Sequence, residues 1–122
     1  MSEFSVHFDL YKKFKKDAEN ETLFEGTRVE SYFLAAFHLI ESCAAKERIH
    51  INKHQKVRIF IEENEFLFRA DSEAIWRSFQ IIENRLRPKF TYSMSWTEID
   101  LKKVIENFQI IESTCIRGIG NV

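Results

Sequence analysis

Residues Tyr32–Lys46 read YFLAAFHLIESCAAK, and this stretch decides the fold. Apolar side chains recur there every three or four positions, the period of a helix with one face in a core. Val29, Phe33, Phe37, Ile40 and Ala44 make one stripe, and Tyr32, Ala36, Leu39 and Cys43 widen it. A helix apolar over that much of its circumference is central and touches several neighbours. The spacing predicts a helix over about 24–47. A further face carries Ser31, Ala35, His38, Ser42 and Ala45, mostly small side chains that let a second helix approach closely. That face reads either as a contact inside the chain or as a seam between two copies.

Working outward, a helix is predicted over about 5–18, with Phe8, Tyr11, Phe14 and Ala18 inward and Lys12, Lys13, Lys15 and Lys16 in water. The polar segment Glu19–Thr22 turns the chain. Beyond the central helix, Asn52 with Gln55 three residues on forms a capping-box pattern. It opens a helix over about 53–64 that buries Val57, Phe60 and Ile61. Residues 65–70, EFLFRA, read as a short extended piece or a continuing turn. Asp71 is the expected cap of a helix over about 72–87, whose stripe is Ile75, Phe79, Ile82 and Leu86 with Trp76 alongside. Pro88 is expected to stop it, because the residue before a proline is pushed out of helical geometry. Ser95 and Glu98 make a second capping box before a helix over about 96–115, with Leu101, Val104, Ile105, Phe108, Ile111 and Cys115 on its inner face. Residues 116–122 are expected to fray. Short joints between such helices give one all-α domain over 1–122, an antiparallel up-and-down bundle of four to five helices.

Composition agrees. A chain of 122 residues can bury roughly 65–70% of its unfolded surface without staples. Three glycines and one proline leave few turns, and twelve phenylalanines fill gaps between helices. Net charge is −1, so any polyanion has to meet a local patch rather than a global field. Cys43 and Cys115 sit in apolar helical contexts and read as buried free thiols of a reducing, cytoplasmic protein. Neither has a second ligand at zinc-finger spacing. No secretory signal is visible at the start, and no apolar run approaches the 18 residues that span a bilayer.

Three places carry candidate chemistry. The first is the basic junction: Lys46, Arg48, Lys53, Lys56 and Arg58, with His50 and His54 among them and a single acid, Glu47. It reads as a solvated turn or, with the free N–H groups of the next helix, as a phosphate cradle. His50 and His54 have the four-residue spacing of paired metal ligands, but Asn52 interrupts the helix between them and no third ligand lies near in sequence, so no metal is assigned. The second is Arg85, Arg87, Lys89 and Tyr92, which could grip phosphates and stack a base or cap a helix C-terminus. The third is His38 with Glu41, one turn apart, a tuned base or a histidine satisfied inside the bundle. With three glycines there is no phosphate loop, and no cofactor is expected.

Three segments are similar to the HEPN superfamily of small helical proteins: SYFLAAFHLIESCAAKERIHI, HQKVRIFIEEN and NRLRPKFTYSMSWTEIDLKKVIENFQIIES. Together they cover roughly residues 24–113. In that family an arginine and a histidine separated by four to six residues form a metal-independent ribonuclease site shared across a dimer. Arg87 matches the arginine, but Tyr92, Ser93 and Met94 stand where the histidine falls. Arg48 and His54 fit the count at a different helix junction. The resemblance therefore implies a non-catalytic homodimer that binds a nucleotide or RNA, or accompanies a minimal nucleotidyltransferase. Arg87, Tyr92, Arg85, Lys89, His54, Arg58 and Arg48 are its expected ligand contacts. The alternative is a toxin-like, metal-independent endoribonuclease using Arg48 or Arg87 with His54. A protein–protein interaction module, with its basic patches incidental, is the third reading.

Overall fold

A computed structural model describes residues 3–93 and 95–120. Five α-helices carry the architecture: α1 (Glu3–Ala18), α2 (Glu25–Lys46), α3 (Val57–Glu63), α4 (Ser72–Gln80) and α5 (Glu98–Ile119). No strand occurs among the described residues. No helix among them is long and apolar enough to cross a membrane.

The wide apolar face of α2 does what its width predicts. Val29, Phe33, Leu39, Ile40 and Ala44 are sealed from solvent between three neighbours. Toward α5, Tyr32 lies 5.1 Å from Phe108, ring to ring, and Cys43 Sγ reaches the Cys115 carbonyl at 3.8 Å. Both contacts advance the same way along the two helices, so α2 and α5 run parallel. Toward α4 the order reverses: Phe33 stacks on Phe79 at 5.4 Å, while Glu30 takes Arg87 further along the chain. Toward α1 it also reverses, from Arg28 Nε donating to the Ala18 carbonyl at 2.8 Å to His7 beside Glu41. Successive long helices thus alternate in direction, the up-and-down bundle that the periodicity predicts. The small-residue face of α2 is an internal contact: Ser31, Ala35 and Ser42 are buried, and His38 stacks on Phe14 of α1 at 5.7 Å.

Pro88 does not stop the helix. The chain continues from α4 through wide π-helical turns at Ile81–Leu86 and Lys89–Ser93. Arg87 stays helical (φ −51°, ψ −45°) and its N–H reaches back five residues to Ile82. A wider turn gives the proline ring room that a regular α-turn denies it. Two hydroxyls serve carbonyls nearby: Thr91 Oγ1 donates to Arg87 O at 3.0 Å, and Ser93 Oγ to Lys89 O at 3.3 Å. Packing completes the compensation. Phe90 is buried and stacks on Trp96 at 4.9 Å. Gly26 lets the Phe90 carbonyl come so close that a Cβ there would lie 3.1 Å from its oxygen.

The caps also differ from expectation. Neither Asn52 nor Ser95 caps a helix: α3 is preceded by a 3-10 turn at His54–Lys56, and α5 is capped by Thr97 with Asp100 in a reciprocal box two residues further on. Asp71 occupies the N-cap position of α4, but its side chain makes no cap bond and pairs with Arg117 at 3.2 Å. Residues 65–70 form 3-10 turns at Glu65–Leu67 and Arg69–Asp71. The expected frayed tail is helical to Ile119, which is buried and whose carbonyl accepts from Lys46 Nζ at 2.7 Å. Asn121 and Val122 lie outside the described residues, as does Met94.

Candidate functional site

Phe33 is the floor of the best-organised polar site. It stands on α2 among core residues, yet its ring receives two groups from distant segments. The Arg87 guanidinium carbon lies 4.3 Å from the ring centroid. The His54 imidazole meets the same ring edge-on at 5.1 Å and touches Phe37 in the same manner at 6.2 Å. The basic junction and the proline-bearing segment therefore converge here, on an aromatic surface that attracts cations.

Each of the two groups is held by a carboxylate. Arg87 Nε donates to Glu30 Oε1 at 2.9 Å. His54 Nδ1 is bonded to the carboxylate of Glu83, which is almost fully buried, while the imidazole itself is one-third exposed. These contacts leave nitrogen atoms free. The Arg87 terminal nitrogens and His54 Nε2 have no partner among the described residues. A buried carboxylate behind one imidazole nitrogen fixes the ring and aims the other outward, the arrangement by which a histidine is oriented for ligand contact or proton transfer.

The remaining expected contacts are more dispersed. Arg58 lies over the Trp76 ring at 3.9 Å and pairs with Glu62 at 3.4 Å. Lys89 is taken by Asp100 at 3.2 Å. Tyr92 is largely exposed, and Arg85 is exposed with no partner among the described residues. Arg48 does not join His54 and Arg87. It ends α2 in the left-handed region, φ 61°, and lines a hollow of about 570 Å³ with Glu3, Phe4, Lys46 and His50. Of the alternative catalytic set, the structure brings together His54 and Arg87 only. Sequence reasoning missed Glu30 and Glu83, which are separated by 57 and 29 positions from their partners, beyond the reach of any local spacing rule.

His38 does not pair with Glu41. It meets His7, Nδ1 to Nδ1, at 3.0 Å, and burial, aided by His7, holds it down at about 4, so the ring is neutral near neutral pH. Glu41 is engaged elsewhere: its Oε1 accepts the Ile51 N–H at 2.8 Å. Burial raises its pKa and that hydrogen bond opposes the rise.

No family model matches the sequence, and no curated protein or solved structure shows significant similarity to it.

Proposed function

We propose that the chain is a helical module that binds a phosphate-bearing ligand, a nucleotide or RNA, at the Phe33 site, as its HEPN-like segments suggest. The observation that carries this reading is the meeting of His54 and Arg87 on one ring, each oriented by a carboxylate and each with nitrogen left over for a ligand. Arg87 presents a planar fork suited to a phosphate, and His54 Nε2, a donor when the ring is protonated and a base when it is not, adds a second group at the same ring. The HEPN resemblance extends the proposal to a homodimer and to a minimal nucleotidyltransferase as a companion. Exposed Ile110 and Ile116 on α5 are apolar groups available for such contacts.

The His54–Glu83 pair favours a second reading, metal-independent RNA cleavage. His54 would take the 2′-hydroxyl proton, and Arg87 would stabilise charge on the phosphorus-bound oxygens. One titration separates the readings. Wild-type protein is expected to bind a labelled single-stranded RNA or a nucleoside triphosphate, with affinity falling as salt rises. Arg87→Ala should weaken binding by about tenfold or more, the loss of one charge-assisted contact. If RNA is cut by wild type and spared by His54→Ala, the module is an enzyme; if RNA is bound but uncut, it is a binder. Absence of binding to both ligand classes overturns the proposal.

A further inference from the structure

A second polar cluster lies at the other end of α2, away from Phe33. We propose that Glu3, His7, Glu41 and His50 form a site for one divalent transition-metal ion of the zinc class, which pins the start of α1 to the end of α2 and to the loop beyond it.

Three segments contribute. Glu3 and His7 are one turn apart on α1 and share a face. Glu41 projects from α2, and His50 stands in the loop that follows. The donor atoms of Glu3, His7 and His50 all lie within 4.8 Å of one another. His50 Nδ1 is 3.3 Å from Glu3 Oε2 and 3.9 Å from Glu41 Oε2, and His7 Nε2 is 3.3 Å from Glu41 Oε2. Zinc sits about 2.0–2.2 Å from nitrogen and carboxylate ligands, so donors around a tetrahedral ion are spaced by roughly 3.3–3.6 Å. The Glu3–His50 and His7–Glu41 spacings already match; His50 to Glu41 is wider, and Glu41 must close on the Glu3–His7–His50 group by side-chain movement.

The surroundings fit ligation. Glu41 is nine-tenths or more buried, with a side chain only 3% exposed. Its Oε1 is already occupied by the Ile51 N–H, which leaves Oε2 facing both imidazoles. His7 has its other nitrogen, Nδ1, against His38 Nδ1. When His7 donates there, its Nε2 offers a lone pair toward the Glu41 carboxylate, and a cation is what reconciles the two. Outer partners of this kind orient ligating histidines. Two imidazoles with two carboxylates suit zinc, copper or nickel, whereas magnesium and calcium prefer oxygen donors. The nearby Lys46 ammonium is engaged with the Ile119 carbonyl. The histidine pair suggested by spacing, His50 with His54, is separated: His54 belongs to Glu83.

The test uses the untagged full chain, stripped with a chelator and titrated with Co²⁺ and then Zn²⁺. Expected are one ion per chain, the visible absorption of four-coordinate Co²⁺, its displacement by Zn²⁺, and a rise in Tm with zinc. His50→Ala and Glu3→Gln change exposed positions, so folded variants are expected, checked by circular dichroism. Each should weaken uptake by tenfold or more, while His54→Gln should retain it. Lack of saturable uptake by wild type, or unchanged uptake in both His50→Ala and Glu3→Gln, overturns the proposal.

Discussion

Arg48 shows how one residue can mislead by its charge. Its sequence context marks it as a ligand contact, but its backbone has another task. The Arg48 N–H bonds to Ala45 O and the Ile49 N–H to Ala44 O, both at 3.0 Å. Together with φ 61° this is a Schellman ending of α2, at the position where glycine is most at ease. A side chain there costs about 1 kcal/mol, partly offset because glycine loses more freedom on folding. Arg48→Gly is therefore expected to stabilise the protein by about 0.5 kcal/mol, read as a higher urea midpoint with unchanged slope. A lower midpoint would show that the arginine side chain makes a stabilising contact. Phe33 misleads in the opposite direction. Its place in an apolar stripe was legible, and its burial follows, but nothing local told that its ring would meet His54 and Arg87. Ring contacts depend on how α3 and the π-helical segment come back to α2, and that return is set by tertiary packing.

At the scale of elements, the apolar stripes were legible because a helix needs only its own period to declare a buried face. Helix ends were less so. Asn52, Asp71 and Ser95 all have capping chemistry, yet only Thr97 and Asp100 make the reciprocal bonds, with Thr97 N–H donating to Asp100 Oδ2 at 2.9 Å. Several residues compete for each helix start, and tertiary partners choose between them; Arg117 diverts Asp71. The box has a pH signature. The Thr97 N–H, followed by Lys89, holds the Asp100 carboxyl below its ordinary range. A depressed folded-state pKa gives stability that is present above the unfolded pKa near 4 and is lost as pH falls through the folded value. Wild type should lose its advantage over Asp100→Asn as pH drops from 6 to about 3, in parallel urea titrations. An advantage that stays constant over that range would remove Asp100 from the pH response. Pro88 was the costliest misreading at this scale. Its steric rule holds for α-turns, and the chain evades it by widening the turn around Phe90 and Gly26.

For the whole molecule, the parallel run of α2 and α5 buries both thiols in the centre of the bundle. Cys115 is fully enclosed, and burial pushes its thiol well up from the ordinary range. Cys43 is nearly as covered. Neither should react with a disulfide reagent until the bundle opens, so labelling of the native protein is expected to follow global unfolding and to accelerate steeply with urea. Rapid native-state labelling of either cysteine would show that α5 leaves α2 in a local opening instead. The α1 helix is fixed to the same pair: Tyr11 donates to Glu112 Oε2 at 2.5 Å, and Lys15 Nζ lies 2.7 Å from that oxygen. Burial and Glu112 raise the Tyr11 pKa well above its ordinary value, so the phenol keeps its proton.

Lys46 carries one last implication. Its ammonium holds the carbonyl of Ile119, and it lines the same hollow as Glu3 and Phe4. The first and last described turns of the polypeptide are thus gathered at a single pole. A short flexible tether between them would close the backbone into a ring, and new ends could be opened in the exposed bend at Asn20–Thr22, where insertion or scission disturbs little buried backbone. Connectivity could then be rewired while the packing order of the helices stays the same.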